Sequence, residues 1–354
     1  MTDCAVIIPA LNPDQTLLNY INQLQETGLN KIIVVNDGSS RECLPIFEKV
    51  KEIPGCFLLE HEVNKGKGRA LRTAFRFFLD TSEFENFAGV VTADADGQHL
   101  PQDTLRVAQE LEKHPDSLIL GCRDFDSENV PFKSKKGNKI TSTVMKILFS
   151  RDISDTQTGL RGLGRQFCRR CLDIKGDRFE FEMNMLIEAV LERNVVQVPI
   201  RTVYFHQNRA TSFKAVKDSV KIYGVIFAQF FKFCFASLSS SLLDISLFSV
   251  ISRRLSTGLP QAKAIFWAGI GARLISAVYN YLINRKIVFR SGRNVTYSVA
   301  KYAALAACVM FVSAFSVRWL YTLLGIHETI IKICVDVILF VFSFKVQQMW
   351  VFEK

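Results

Sequence analysis

Over its first two hundred residues the chain alternates short apolar runs with stretches of helical period. CAVIIPAL (4–11), KIIVVNDGSS (31–40), CFLLEHE (56–62) and AGVVTADAD (88–96) read as strands. Between them, DQTLLNYINQLQETG (14–28) carries an amphipathic helix that ends at Gly28, a second helix passes through Phe47, and a third runs from about Gly68 to Leu79. Strands parted by helices of roughly 10 to 15 residues predict a parallel sheet wound on both faces. Such sheets bind ligands beyond the carboxyl ends of their strands. Asn12, Asp37, Asp94 and Asp96 all fall at such ends. If the backbone stays extended past residue 92, Asp94, Asp96 and Gln98 project to one side. Their oxygens suit magnesium or manganese, and the neighbouring His99 leans slightly toward manganese.

From about residue 225 the pattern changes to four long apolar stretches, at roughly 225–251, 264–284, 299–324 and 326–344. Each is near the 20 residues that a membrane helix needs. The fourth is the least apolar, because Lys332 and Asp336 cost about 3 kcal/mol each on an insertion scale, although their i, i+4 spacing lets them neutralise one another. An internal repeat is suggested as well: YNYLINRKIVF (279–289) aligns with FSFKVQQMWVF (342–352), and FFKFCF (230–235) with VAKYAA (299–304), as two helical hairpins of one orientation would give.

Charge changes the picture in the second half only. Residues 1–224 hold 30 Lys and Arg against 30 Asp and Glu, whereas residues 225–354 hold 14 against 4, so the excess of +10 belongs to the apolar part. Basic residues beside hydrophobic runs flank a membrane and argue against a nucleic-acid partner. Arg285, Lys286, Arg290, Arg293 and Lys301 crowd one loop, while 323–329 has no Lys or Arg. The first loop is therefore expected inside and the second outside, with both termini cytoplasmic; Arg253, Arg254 and Lys263 run against this orientation. The opening MTDCAVIIPAL carries no signal-peptide pattern, which again places the first domain in the cytoplasm. Lys214, Lys217 and Lys221, ahead of an aromatic run, suit a helix at an anionic membrane surface. The nine cysteines include one CxxC, Cys168 and Cys171, with no second pair to make a zinc site, and they read as ordinary helix residues.

The motifs IIPALN (7–12), VVNDGSS (34–40), NKGKGRALRTAF (64–75), TADADGQH (92–99), GCRDF (121–125), SDTQTGLRG (154–162), FEFEMNML (179–186) and VPIRTVYF with NRATSFK (198–214) together resemble glycosyltransferase family 2. Within it they resemble the polyprenyl-phosphate glycosyltransferases related to dolichol-phosphate mannose synthase and bactoprenol glucosyltransferase. The remaining 130 residues resemble the GtrA-like four-helix family, most visibly in NYLINRKIVF (280–289). The resemblance implies an α/β, Rossmann-like GT-A catalytic domain with a mostly parallel sheet over 1–213. It further implies an amphipathic segment over 214–226 and an all-α transmembrane domain of four helices over 227–354. It makes Asp94 and Asp96 the DxD motif, with Asp96 and Gln98 on a Mg²⁺ or Mn²⁺ ion. Pro9, Ala10, Leu11, Asn12, Asp37, Lys67 and Ala95 would join the two aspartates around the donor. Pro13 stands where the family often has an acidic residue.

Arg123, Arg161, Arg209 and Lys214, with the Ser212 hydroxyl, look like the contacts for an acceptor phosphate, since arginine grips phosphate with a rigid fork and lysine acts as a point charge. A phosphate monoester, with a second pKa of about 6, is already ionised at neutral pH and needs no general base. Asp155 is the candidate if there is one. The implied reaction is inverting transfer of one hexose, UDP-glucose being the first choice of donor and GDP-mannose, UDP-GlcNAc or UDP-galactose the alternatives, to an undecaprenyl or dolichyl phosphate. Rival readings are a processive polysaccharide synthase, whose QxxRW motif is broken by Phe315 ahead of Arg318 and Trp319, a nucleotide-sugar binding module, and a membrane domain that helps flip the lipid-linked sugar through Asp244, Arg273, Arg318, Lys332 and Asp336. A homo-oligomer is compatible with all of these.

Overall fold

The computed structural model describes residues 3–125, 130, 132–149, 151–192, 194–201, 215–289, 291, 294–324 and 328–352. It divides into two compact units. One comprises Met1–Ile147 and Arg151–Ile226, the other Leu148–Ser150 and Phe227–Lys354.

The first unit is built on seven strands: β1 (Cys4–Ala10), β2 (Ile32–Asp37), β3 (Cys56–His61), β4 (Gly89–Thr92), β5 (Leu118–Arg123), β6 (Arg161–Gly164) and β7 (Val195–Ile200). Their order across the sheet is β3-β2-β1-β4-β6-β5-β7. All neighbours are parallel except β6, which runs antiparallel to both β4 and β5. Residues of β1, β2 and β4 are buried almost throughout, as strands covered on both faces must be. The covering helices are α1 (Thr16–Glu26), α2 (Leu44–Glu52), α3 (Lys67–Asp80), α4 (Pro101–Lys113), α5 (Phe132–Phe149), α6 (Arg165–Cys171) and α7 (Phe179–Leu191). In α1 the stripe Leu17, Leu18, Ile21 and Leu24 packs on the sheet with the i, i+3/i+4 spacing of a surface helix. Cys168 and Cys171 are free and buried in α6, where burial pushes both thiols upward in pKa and leaves them unreactive.

One expectation fails here. β4 stops at Thr92, and the chain turns through Ala95 and Asp96, with Gly97 at a φ of 72°. Residues 94, 96 and 98 are thus not consecutive teeth of an extended strand, and the Gln98 N–H folds back to donate to Asp96 Oδ1 at 3.1 Å.

The second unit holds the rest of α8 (Ala215–Leu255), with α9 (Gln261–Ile283), α10 (Val295–Leu324) and α11 (Glu328–Val346). Residues 215–226 continue into the first apolar stretch as one 41-residue helix. Among the described residues three segments are long and apolar enough to cross a membrane: Phe230–Leu255, Val295–Ser313 and Ile333–Val351. The fourth sequence stretch thus qualifies once it is counted from beyond Lys332. It is α9, with Lys263, Arg273 and Asn280 along its length, that falls short.

Candidate active site

The strand order reverses direction between β1 and β4, since the chain leaves β1 for β2 on one side and reaches β4 on the other. The crevice above such a point is where open parallel sheets bind ligands. Asn12 follows β1 there, in the left-handed region at a φ of 48°. Its N–H donates to Ser39 Oγ at 2.9 Å, and its Oδ1 accepts from Ser40 N–H at 2.8 Å, so the loops after β1 and β2 are tied together. Pro9 and Ala10 close the end of β1, and Leu11 stands exposed beside Asn12.

Beyond β4, Asp94 meets Lys67 of α3 and the loop ahead of β6. Lys67 Nζ, at the first position of α3, lies 2.7 Å from Asp94 Oδ1 and 3.0 Å from Glu182 Oε1, in the first turn of α7. Gly159, just ahead of β6, packs so closely on the Asp94 carboxylate that a Cβ would collide with Oδ2. Burial alone would raise the pKa of Asp94, but the charge of Lys67 overrides it and holds the carboxyl far below the usual range. The same balance holds Lys67 above its ordinary value: burial opposes its charge, and Asp94 with Glu182 outweighs burial. Asp96 goes the other way, raised by burial and by the charge of Asp94. His99 is 5% exposed, with Nε2 at 3.5 Å from Asp94 Oδ2, and neither ring nitrogen has a hydrogen-bond partner among the described residues.

A buried imidazole that makes no hydrogen bond, beside two carboxylates of which one is disfavoured as an anion, is a place that accommodates added positive charge. Among the described residues no three His, Cys, Asp or Glu side chains gather to enclose a metal ion by themselves. Asp94 and Asp96 share one loop beyond β4, and carboxylate oxygens are of the type that suits a hard divalent ion whose other ligands are phosphate and water.

Residues 5–172 match the glycosyl transferase family 2 model, and residues 261–352 match the GtrA/DPMS transmembrane domain. The chain thus carries a glycosyl transferase family 2 domain followed by a GtrA/DPMS transmembrane domain. A protein of Methanocaldococcus jannaschii without an assigned function is 28% identical over 214 residues, covering 58% of this chain and 85% of that one. The UDP-N-acetylglucosamine–dolichyl-phosphate N-acetylglucosaminyltransferase of Methanococcus voltae is 29% identical over 224 residues, covering 58% and 87%. A dolichyl-phosphate beta-glucosyltransferase of Trichomonas vaginalis is 26% identical over 184 residues, covering 47% and 54%.

Several family 2 residues sit differently from expectation. Asp37, expected against the nucleotide, points away into the protein: its carboxylate accepts the N–H groups of Lys65 at 2.9 Å and Gly66 at 2.8 Å, and pairs with His61 Nδ1 at 2.7 Å. His61 Nε2 reaches Thr73 Oγ1 at 3.0 Å. Gly66, at a φ of 96°, lets the loop pass against the backbone of Asp177. Asp37 thus shapes the turn that delivers Lys67. Arg161, expected on the acceptor phosphate, is 2% exposed in the central strand β6. Its guanidinium donates to the carbonyls of Thr158 at 2.9 Å and Glu182 at 2.6 Å, which fixes α7 and with it the Glu182 side chain.

Asp155, the candidate base, is closed off. Arg123 Nε and NH2 donate to its two oxygens at 2.6 Å and 3.0 Å, and Gln157 N–H donates to Oδ1 at 3.0 Å. Arg123, at the end of β5, lies over the Phe125 ring and keeps its place at the sheet edge. Arg209, Ser212 and Lys214 lie outside the described residues. Glu182 was not picked out from the sequence, although the FEFEMNML motif that contains it was.

Proposed function

We propose that the protein transfers one hexose from a nucleotide sugar to a polyprenyl phosphate at the cytoplasmic face of a membrane. The observation that carries this reading is the chain of charges from Glu182 through Lys67 to Asp94 beyond β4, in a glycosyltransferase that also carries membrane-competent helices. A lipid-borne acceptor is the substrate that needs both. One relative is named for N-acetylglucosamine from UDP and another for glucose, each on dolichyl phosphate. UDP-glucose and UDP-GlcNAc are thus the donors of first choice, ahead of UDP-galactose and GDP-mannose.

Asp94 and Asp96, with Gln98 in the same loop, would hold a Mg²⁺ or Mn²⁺ ion, which when bound neutralises the leaving nucleoside diphosphate. Lys67 adds a fixed positive charge, and the first N–H groups of α3 add their dipoles at the same spot. Glu182 and Asp94 keep the ammonium from swinging away. The acceptor phosphate carries its own negative charge and attacks the anomeric carbon with no proton to lose, which agrees with the sequestered state of Asp155. One displacement of this kind inverts the sugar. Arg123, with Arg209, Ser212 and Lys214, is the proposed grip on the acceptor. The catalytic part spans 1–213, the basic segment 214–226 lies at the headgroups, and the membrane part spans 227–354 with both termini inside.

The test is one incubation of the purified protein with polyprenyl phosphate and each of the four radiolabelled donors. One donor giving a single sugar on the lipid supports the reading. A polymer, or label that never enters the lipid phase with any donor, overturns it.

A further inference from the structure

The two segments aligned by the sequence repeat, 279–289 and 342–352, share one unusual local structure. In each, a helix widens into a single π turn: Phe289 N–H donates to Asn284 O at 2.8 Å, five residues back, and Phe352 N–H donates to Gln347 O at 2.8 Å. In each, the amide that opens the turn reaches back one α-helical turn. Asn284 Nδ2 donates to Asn280 Oδ1 at 2.5 Å, and Gln347 Nε2 donates to Ser343 Oγ at 3.0 Å. A shift of 63 positions therefore superposes the end of α9 on the end of α11. The motif around Lys232 and Lys301 superposes α8 on α10 in the same way and makes Phe233 the counterpart of Tyr302.

The ring contacts obey this correspondence. Phe233 meets Phe344 at 5.1 Å, and with the roles exchanged Tyr302 meets Tyr281 at 5.5 Å. Phe289 meets Phe344 at 5.8 Å, and its counterpart Phe352 meets Tyr281 at 5.6 Å. Within the hairpins, Phe233 meets Phe289 at 6.1 Å and Tyr302 meets Phe352 at 6.4 Å. Contacts that recur with the partners swapped are the signature of a two-fold axis. On the axis itself a residue must meet its own counterpart. Asn284 Nδ2 donates to Gln347 Oε1 at 3.2 Å, and Phe289 stacks on Phe352 at 5.2 Å with an interplanar angle of 18°. Farther along, the same shifts carry Asp244 to Ser313 and Arg273 to Asp336. Each of these pairs cross-links its own hairpin, Arg273 to Asp244 at 3.2 Å and Ser313 to Asp336 at 2.8 Å.

We infer that the C-terminal unit is a duplicated hairpin, α8–α9 and α10–α11, closed about a pseudo-two-fold axis, and that Asn284 and Gln347 on that axis specify how the copies pair. Both amides are buried, in a unit where Phe289, Phe344 and Phe352 are buried as well. In such surroundings a slipped register would forfeit the bond across the axis and leave Gln347 Oε1 without the Asn284 donor, so a polar pair selects one register where apolar packing alone would tolerate several. The interaction surface of each hairpin thus fits one partner, the other copy of the same design. This pairing is independent of which sugar is transferred.

The test uses the full-length protein in detergent or nanodiscs and follows melting by tryptophan fluorescence, since Trp267, Trp319 and Trp350 all lie in this unit. Asn284→Leu and Gln347→Leu should each lower the midpoint by a similar amount, about 2–4 °C. The double leucine variant should fall by clearly less than the sum of the two singles, because the contact they share is lost only once. The exchange variant N284Q/Q347N restores the same pair with its members reversed and should melt like the native protein. Single effects that differ widely and add, or an exchange variant that melts like the single leucine variants, overturn the proposal. If the leucine variants do not accumulate, the exchange variant decides alone: native-like yield and melting support the pairing, and failure to accumulate overturns it.

Discussion

Lys67 Nζ sits 2.7 Å from Asp94 Oδ1, joining the start of α3 to the loop after β4 through one partly buried ion pair. The same ammonium lies 3.0 Å from Glu182, so it separates two carboxylates that would otherwise face each other. Breaking a buried pair by removing one partner costs roughly 3–5 kcal/mol, and the partial exposure of Asp94 brings this toward about 2 kcal/mol. Lys67→Met should therefore melt a few degrees lower. Transfer should fall about 100-fold, the typical loss when one preorganised charge-stabilising group is removed. Lys67→Arg keeps the charge and should hold more of both. Melting curves and initial rates check this, and a methionine variant with native melting and native rate would mean that the bridge is idle.

Chelation is the second measurement. Burial and the charge of Asp94 work against ionisation of Asp96, and a divalent cation between them relieves both penalties. EDTA-treated protein should lose transfer, and Mg²⁺ or Mn²⁺ should restore it. Asp96→Asn should weaken Mn²⁺ binding at least tenfold in a titration followed by electron paramagnetic resonance. Undiminished turnover in chelator would remove the metal from the mechanism.

The sheet edge was legible in the sequence because strand period and βα alternation are local signals, and they put Asn12, Asp37 and Asp94 at or just past the ends of strands β1, β2 and β4. The direction in which those side chains turn was not. Asp37 faces inward because the loop before Lys67 returns over it and offers two N–H groups, an event set by residues 28 positions away. Arg161 has the chemistry of a phosphate ligand, yet β6 enters the middle of the sheet antiparallel and buries it against the carbonyl of Glu182. The spacing of 94, 96 and 98 misled for the opposite reason: a period of two holds only while the chain remains a strand, and Gly97 ends that. The hairpin repeat inferred above is suggested in the sequence by aromatic and polar positions, because equivalent contacts demand equivalent side chains.

Asp155 separates a structural carboxylate from a catalytic one. It is fully buried and shares both oxygens with Arg123, so Asp155→Ala removes the carboxylate that both guanidinium nitrogens reach, in a site where only 18% of the Arg123 side chain is exposed. A loss of about 3 kcal/mol is expected. A general base would in addition give the native enzyme an acidic limb in its pH–rate profile that the variant lacks. Here the profiles of native and variant protein should superpose after scaling for the folded fraction, and the disappearance of a limb would restore Asp155 to catalysis.

Gly159 sets how close the loop before β6 comes to the site, and its effect can be told apart from a general loss of stability. A Cβ there would meet Asp94 Oδ2 well inside van der Waals contact, with the Cγ and Oδ1 atoms close behind. Asp94 is the member that can yield, since it ends in a rotatable carboxylate, but to yield it must leave Lys67. Gly159→Ala should therefore cost no more in melting temperature than Lys67→Met, a few degrees, and at least tenfold in rate, because a displacement of about 1 Å in a catalytic group is expensive even when the fold is intact. Gly137→Ala is the control: it lies in α5 with open space where its Cβ would stand, and replacing a helical glycine there should stabilise the protein by up to about 1 kcal/mol at unchanged rate. If Gly159→Ala instead keeps the native rate, the close approach of this loop is packing only, and Asp94 has more freedom than its contacts with Lys67 and His99 imply.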